Sequence, residues 1–203
     1  MSAPGTRFER RRERTRSEIL AAATRVLAAK GLHDTKVADI ATAADVGVGT
    51  FYLHFPTKEA LFHAVVEETM TRLKATVDAA RTRARGARER LLAANAAFCR
   101  FAQDNREVFK IVFGHGAAYN DVIQHAQALF AADVEETVRE GIASGVFTPL
   151  PPDIVAQAMV GMATQALSWW ATHESVAIET LDATMTTLTL HGLEAAAPGE
   201  GDR

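Results

Sequence analysis

Residues 35 to 58 read TKVADIATAADVGVGTFYLHFPTK, and this segment predicts two short helices joined by a tight turn. Val37, Ile40 and Ala41 lie at one-turn spacing and form a narrow apolar stripe on the first helix. The run Asp45-Val46-Gly47 breaks that helix, and a second one follows over residues 48–54. The segment therefore predicts a helix-turn-helix.

The second helix has an outer face that a surface helix does not need for folding. Phe51 and Phe55 are four residues apart, so both are expected to face inward. The side chains left on or near the outer face are Val48, Thr50, Tyr52, Leu53 and His54. Such a face suits the major groove of DNA, where polar groups bond to bases or phosphates and apolar groups contact thymine methyls. The alternative is a small helical hairpin with an accidentally exposed aromatic.

The start and the far flank of this helix also favour a nucleic acid partner. Gly47 and Gly49 keep the start of the helix narrow, so its backbone amides can come close to phosphate oxygens. Lys58, just beyond the segment's second helix, can neutralise a phosphate.

These residues resemble the amino-terminal domain of the TetR family of bacterial transcriptional regulators, over about residues 14 to 70. The pattern that carries the resemblance is Thr35, Val37, Ile40-Ala41, Val46, Gly49, Phe51-Tyr52, His54-Phe55, Lys58 and Leu61. The resemblance implies an all-α fold of about nine helices, in which a three-helix DNA-binding domain precedes a helical ligand-binding and dimerisation domain. It also implies a homodimer that binds a palindromic operator in double-stranded DNA, most often as a repressor released by a small effector. The groove-facing residues would be Gly47, Val48, Thr50, Tyr52, Leu53 and His54, with Lys36, Ala38 and Lys58 near the DNA backbone.

Three positions depart from the family pattern. Lys36 stands where a Thr or Ser is frequent, so the helix cap is expected at Thr35 or Asp34, and Lys36 becomes a phosphate contact. Asp45 replaces the usual turn glycine and is expected to adopt a left-handed conformation at some strain. Val48 replaces a frequent polar residue, which removes one base hydrogen bond.

The charge is distributed unevenly along the chain. The formal net charge is -3, yet residues 1–58 carry ten Lys or Arg against six Asp or Glu, and residues 59–203 carry twelve against nineteen. A protein with a basic amino-terminal region and an acidic remainder is expected to approach DNA in a preferred orientation. With 48% hydrophobic residues and one cysteine, the chain is typical of a globular protein of a reducing cytoplasm. The resemblance implies that this is a bacterial cytoplasm and that the protein is associated with the nucleoid.

The sequence predicts four regions. Residues 1–13 form a flexible basic arm from which Arg11 and Arg12 can reach DNA, unless the arm is only a solvated tail. Residues 14–74 form the DNA-binding domain, with the helix-turn-helix at about 37–56. Residues 75–195 form the effector-binding and dimerisation domain, and residues 196–203 form a tail. A long helix entered at Pro56-Thr57 would connect the two domains.

The helices predicted between residues 91 and 143 are rich in aromatic side chains interrupted by small residues. They either enclose an apolar effector pocket or form a filled core, and the family resemblance favours the pocket. The effector would be an apolar or amphipathic small molecule. The candidate pocket residues are Phe98, Phe101, Phe109, Phe113, Tyr119, Phe130, Met159 and Met162.

The last two helices are predicted to form a subunit interface. Residues 154–171 carry no charge, include small residues that permit close packing and end on two tryptophans, but their polar side chains make them a poor membrane span. They could pack with residues 176–193 of each subunit as a four-helix bundle. The candidate interface residues are Gly161, Ala166, Trp169, Trp170, Leu181, Met185 and Leu188.

Two other functions compete with that of a ligand-responsive regulator. A ligand-independent architectural DNA-binding protein would share the helix-turn-helix but show no preference for one site. A helical enzyme would need a catalytic set, and the sequence shows no nucleophile elbow, phosphate loop or recognisable metal-ligand spacing. We therefore expect no catalytic residue, no metal and no cofactor, and we expect Cys99 to be an inert buried thiol.

Overall fold

The computed structural model describes residues 7–114 and 120–193, which contain nine helices and confirm the predicted all-α class. The helices are α1 (Arg7–Asp34), α2 (Val37–Ala43), α3 (Val48–His54), α4 (Lys58–Arg83), α5 (Gly86–Asp104), α6 (Arg106–Gly114), α7 (Asn120–Ala143), α8 (Pro152–Thr172) and α9 (Ile178–Leu193). Within the described ranges, no helix has the length and apolar character needed to traverse a bilayer. The predicted tail, residues 196–203, lies outside the described residues.

The chain divides into two compact units between Thr69 and Met70, five residues before the boundary expected from the sequence. In the first unit, α2 packs against both α1 and α3. The core is built from apolar side chains at helical spacing, which is the arrangement that the stripe in the sequence predicted. Its buried members include Ile19, Leu20, Ala23, Leu27, Ile40, Ala41, Phe51, Phe55 and Leu61.

Helix α1 begins earlier than the sequence predicted. Residues 7–13, expected as part of a flexible arm, are helical and exposed, so Arg11 and Arg12 extend from a helix surface. Arg and Glu have high helix propensity, and Arg14 pairs with Glu18 one turn later at 3.5 Å. Residues 1–6 lie outside the described residues. The helix is kinked near its end at Gly31, whose φ of 73° is not helical.

Helix α4 starts where the sequence placed its cap. The backbone N–H of Ala60 donates to the Thr57 hydroxyl oxygen at 3.0 Å, which satisfies one free amide of the first turn. The helix runs for 26 residues, about 39 Å at 1.5 Å per residue, and its first part belongs to the first unit.

In the second unit, α7 packs along α8, α5 packs against α7 and α9, and α6 packs against α8. The largest buried side chain of its core is Trp170, and the Arg106 guanidinium lies 4.1 Å above the Trp170 ring. Arg106 also donates to the carbonyl oxygens of Trp170 and His173, at 2.7 and 2.9 Å. These bonds satisfy carbonyls at the end of α8, so one side chain closes a helix end and covers the core.

Candidate nucleic-acid interface and ligand cavity

The turn between α2 and α3 is held by backbone hydrogen bonds. The N–H of Val46 donates to the Ala41 carbonyl at 3.0 Å, and that of Asp45 donates to the Thr42 carbonyl at 3.1 Å. Asp45 has φ of 53°, which confirms the left-handed conformation predicted for it. Asp is among the few residues that adopt this region at modest cost.

The cap of α2 is not Thr35, as the sequence suggested, but Lys36. The Thr35 side chain is buried, and its hydroxyl donates to the Gly31 carbonyl at 2.6 Å, so it closes the end of α1 instead. The Lys36 backbone N–H donates to the Asp39 carboxylate at 3.0 Å, and Lys30 Nζ lies 3.0 Å from the same carboxylate. These two donors, the backbone bond first, lower the pKa of Asp39. The Lys36 side chain is left exposed at the start of α2.

Helix α3 presents the two faces that the sequence predicted. Phe51 and Phe55 are buried in the core of the first unit, with their ring centroids 6.0 Å apart. On the outer face, Tyr52 is 51% exposed and Leu53 is 76% exposed. The three other predicted groove-facing side chains are exposed or half-buried: Val48, Thr50 and His54. Burying Phe51 and Phe55 fixes the rotation of the helix, so its apolar outer face is a consequence of the core.

The glycines at the start of α3 are not required by packing within the chain. A Cβ atom built at Gly47 or Gly49 would meet no heavy atom within 4 Å, and neither glycine has a positive φ. Glycine in a helix costs stability relative to alanine. Packing within the folded chain therefore does not explain why glycine occupies these two positions, as expected if the start of α3 accommodates a bound partner.

His54 lies at the end of α3 beside the basic surface of α1. Burial lowers the pKa of its imidazole, and the nearby Arg12 and Arg16 lower it further, against a smaller opposing effect of Glu13. The Arg16 guanidinium stacks over the Phe55 ring, 5.1 Å from its centroid. The first turns of α1 thus place arginines beside the last turn of α3.

The remaining predicted DNA-contacting residues lie around this surface. Lys36 and Ala38 are exposed on α2, and Arg11 is exposed on α1. Lys58 is half-buried, and its ammonium lies 5.2 Å from the Phe62 ring centroid, which orients the side chain at the start of α4.

The second unit contains a half-open cavity of about 130 Å³, lined by residues of α4 to α9. Six of the eight predicted pocket residues line it, namely Phe98, Phe109, Phe113, Phe130, Met159 and Met162. Phe98 contacts both Phe109 and Phe130 edge to face. Phe101 does not line the cavity; it is buried in the adjacent core, with Arg72 over its ring at 5.8 Å. Tyr119 lies outside the described residues.

The polar groups at this cavity are few and form two sets. Gln127 Nε2 donates to the Thr164 hydroxyl at 3.2 Å, joining α7 to α8. Asn95 Nδ2 donates to the Asp182 carboxylate at 2.6 Å and to the Thr186 hydroxyl at 3.1 Å, joining α5 to α9. The rest of the described lining is almost wholly aliphatic or aromatic.

An apolar stripe on α8 remains exposed. Ile154, Gly161 and Trp169 recur at helical spacing on its outer side, with exposed Leu188 on α9. Trp169 stacks on the His173 ring with centroids 4.1 Å apart and is still 48% exposed. We call Ile154, Gly161, Trp169 and Leu188 the α8–α9 stripe.

Three predicted interface residues are not at the surface. Trp170, Leu181 and Met185 are buried in the core of the second unit, because they occupy the inner sides of α8 and α9. Ala166 is half-buried and packs against the same core. Their side chains hold these helices to the subunit's own core, which corrects the sequence prediction.

Two family models match the chain. One, described as bacterial regulatory proteins, tetR family, matches residues 19–65. The other, described as tetracyclin repressor-like, C-terminal domain, matches residues 84–193, more than half of the chain. The chain belongs to the TetR family. It is a DNA-binding transcriptional regulator with a helix-turn-helix, in agreement with the resemblance found in the sequence.

Individual relatives of this TetR-family chain span nearly all of it. The uncharacterized HTH-type transcriptional regulator YhgD of Bacillus subtilis (strain 168) is 27% identical over 183 residues, or 87% of this chain and 95% of YhgD. The HTH-type transcriptional activator FasR of Mycolicibacterium smegmatis is 26% identical over 172 residues, or 80% of this chain and 75% of FasR. The crystal structure of FadR from Bacillus subtilis in complex with stearoyl-CoA has a TM-score of 0.68 at 20% identity, covering 87% of this chain and 98% of FadR.

The TetR family is not a family of enzymes, which agrees with the absence of a catalytic set in the sequence. Among the residues that the structure describes, no group of three His, Cys, Asp or Glu side chains could hold a metal ion. Cys99 is buried as predicted, and burial raises the pKa of its thiol to about 12. A thiol with so high a pKa carries almost no reactive thiolate at neutral pH.

Sequence reasoning missed Arg16 at the candidate nucleic-acid interface and most of the cavity lining, including Met70 and Met185. Arg16 stands one helical turn after Arg12 and could have been found by extending α1 toward its amino terminus. Met70 and Met185 line the cavity from α4 and α9. No local pattern marks them, because their helices meet the cavity only in the folded unit.

Proposed function

We propose that the TetR-family chain acts as a homodimeric repressor that binds a palindromic operator and releases it when a small apolar effector enters the cavity. The observation that carries DNA recognition is the exposed outer face of α3. Phe51 and Phe55 anchor the helix, while Tyr52 and Leu53 stand in solvent. An exposed Tyr and Leu beside basic side chains fit the edges and methyl groups of the major groove.

The DNA surface in this proposal combines three elements. Val48, Thr50, Tyr52, Leu53 and His54 of α3 read bases, with the amides at Gly47 near a phosphate. Lys36 and Ala38 of α2, Lys58 of α4, and Arg11 and Arg12 of α1 lie along the sugar-phosphate backbone. The phosphate contacts supply most of the affinity and make it sensitive to salt.

Dimerisation in this proposal uses the α8–α9 stripe. Glycine at position 161 permits close approach of a second helix, and no heavy atom lies within 4 Å of a Cβ built there. Trp169 and Leu188 supply large apolar anchors at the surface. Two copies joined through these helices would present two reading heads to two half-sites of one palindrome.

The effector site in this proposal is the cavity of the second unit. Its lining is apolar and aromatic with a small number of polar groups, which is the usual character of a small-molecule site. The related fold of FadR was solved with stearoyl-CoA, a molecule with a long apolar chain. Binding that favours one of two conformations would shift the DNA-binding equilibrium by its difference in affinity.

The experiment uses the purified full chain and duplex DNA from its own promoter region. Tyr52→Ala should weaken specific binding by about 1 to 3 kcal/mol and leave the fold intact. Val146→Ala, which removes an exposed apolar side chain of the second unit, is the control and should bind as the wild type does. Unchanged specific affinity of Tyr52→Ala would overturn the assignment of α3.

Two further readouts separate the rival functions. Affinity should fall steeply with salt, and the operator should be preferred over random duplex; equal affinities would indicate an architectural protein. FasR carries the name of an activator. A reporter gene under the operator decides the direction of control, and expression that rises when the regulator is present would overturn repression.

A further inference from the structure

The described lining residues carry no charge, and this restricts the ligand more than the apolar character of the cavity lining does. Of the described residues that line it, none has an ionisable side chain. A carboxylate or ammonium group inside it would lose its hydration and gain no opposite charge. The part of a ligand that enters the cavity therefore has to be uncharged.

One charged group behind the lining, the Asp182 carboxylate, has the wrong sign to attract an acid. Asp182 is held 2.6 Å from Asn95 Nδ2, and Asn95 itself lines the cavity. This carboxylate repels a negative ligand at that end. It does not itself line the cavity, and it already accepts a hydrogen bond from Asn95, so it is poorly placed to pair with a cation.

Gln127 and Thr164 can orient a neutral ligand. The Thr164 hydroxyl accepts a hydrogen bond from Gln127 and still has its own O–H to donate, and the primary amide has a second N–H. Both residues line the cavity among the apolar side chains. A carbonyl or ether oxygen reaching this pair would find a donor.

Four methionines complete the lining and affect its shape. Met70, Met159, Met162 and Met185 come from α4, α8 and α9 and lie among four phenylalanines. The unbranched, polarizable thioether side chain adapts to ligands of different outline and contacts aromatic rings favourably. The lining therefore selects by charge and polarity more than by exact shape.

From these observations we propose that the effector is an uncharged apolar molecule with one hydrogen-bond acceptor, such as an ester, ketone or ether, bound at Gln127 and Thr164. This inference rests on the effector role proposed for the cavity. It adds the exclusion of free acids and amines and names the two residues that recognise the acceptor.

The test compares three probes with the same apolar chain, namely methyl octanoate, octanoate and octylammonium, at about pH 7.5, where the last two are charged. The neutral ester should raise the Tm of the full chain by about 4 °C or more at a concentration well above its Kd. Calorimetric titration should give a Kd for each ion at least about 30-fold weaker than for the ester. An ion that binds as tightly as the ester, or an ester that does not bind, would overturn the proposal.

A matched pair of variants tests the polar contact. Gln127→Met keeps the length of the side chain and removes the amide, so the ester should bind about five to tenfold more weakly. Gln124→Met makes the same change one turn earlier on α7, at an exposed position outside the lining, and should leave the Kd unchanged. Equal effects of the two variants, or no effect of the first, would exclude Gln127 as the recognition residue.

The results of these ligand-binding tests do not depend on operator binding. The Tm shifts and titrations use the protein without DNA, so a failure of the ester to bind contradicts the ligand class alone. If the ester binds but leaves operator affinity unchanged, the ligand class stands and the proposed release of DNA fails.

Discussion

At the scale of single residues, the exposed face of α3 is set by the side chains that the helix buries. Phe51 is fully buried and sets the rotation of α3, while its neighbour Tyr52, in edge contact with the Phe51 ring at 5.3 Å, stands half in solvent. The alternation of these faces follows from helical geometry alone and could be predicted from the sequence.

Gly49 should show opposite effects on folding and on DNA binding. Gly49→Ala places a methyl group in open space and removes the conformational cost of glycine, so it should stabilise the chain by about 0.5 kcal/mol. The same methyl group would separate the helix start from phosphates and should weaken operator binding about tenfold. Urea unfolding and fluorescence anisotropy measure the two effects.

Gly192→Ala is the matched control for this prediction. It lies in α9, where a Cβ also meets no heavy atom within 4 Å, and it should leave operator affinity unchanged. Full operator affinity in Gly49→Ala would show that the narrow start of α3 is not used for DNA.

His54 should make DNA binding sensitive to pH. Burial and then the two arginines lower its pKa in the free chain, so the neutral ring is favoured there. A phosphate placed beside Arg12 and Arg16 favours the imidazolium, so binding takes up a proton and affinity should rise about threefold as pH falls from about 7.5 to 5.5. His54→Gln should flatten this dependence, whereas the exposed His191→Gln should not.

The same lowered pKa affects stability in the opposite sense. Because the unfolded chain binds a proton at His54 more readily than the folded chain, the contribution of this residue to folding stability is fully present above its ordinary pKa of 6.5 and is lost as pH falls below it.

A pH profile of operator affinity in the wild type that matches the profile of His54→Gln would contradict the proposed phosphate contact.

At the scale of helices, α4 and α7 are joined by a cluster of charges beside the cavity. Asp133 of α7 lies 2.9 Å from Lys74 Nζ and 2.9 Å from the Arg81 guanidinium, both on α4. Arg81 also donates to the Thr137 hydroxyl at 3.0 Å. The neighbouring Leu73, Val77 and Val134 line the cavity. These ion pairs therefore couple any movement of α4 to a movement of α7.

Removing the shared carboxylate should be costly. Asp133→Asn removes the carboxylate that two partly buried cations share, leaves them with the more exposed Asp78, and should lower the free energy of unfolding by about 1 to 3 kcal/mol in urea. Asp78→Asn removes the more exposed partner of Lys74, at 43% exposure, and should cost under about 1 kcal/mol. Equal losses in the two variants would show that Asp133 has no special role.

Helix order and helix faces could be predicted from the sequence, whereas contacts between distant helices could not. Helical periodicity placed Phe51 and Phe55 inside, and both are buried. The same reasoning assigned Trp170 to a subunit interface, because an uncharged helix does not reveal which of its sides meets its own core. The Asp133 pairs join residues more than 50 positions apart, and no local pattern marks them.

At the scale of the whole molecule, the proposed function depends on pairing two copies. Within the part that the structure describes, the α8–α9 stripe is the exposed apolar surface proposed for this pairing. The basic amino-terminal region and the acidic remainder would then be duplicated, giving two basic heads on one acidic body.

Leu188→Asp should disrupt this pairing. A buried carboxylate at the interface would have no partner, so sedimentation velocity should show a shift from dimer to monomer. Operator affinity should fall at least about tenfold, because each head would then bind its half-site alone. Leu129→Asp, at an exposed leucine of α7, is the control. A Leu188→Asp protein that remains dimeric would place the interface elsewhere.

The methionine content of the cavity has a practical consequence. The chain has five methionines, and every one after Met1 lines that single cavity. Isotopic labelling of methionine methyl groups would thus give a nuclear magnetic resonance spectrum with four signals from the cavity wall and one from the chain terminus. The four signals from the cavity wall would report whether a ligand occupies the cavity, without an introduced probe or a mutation.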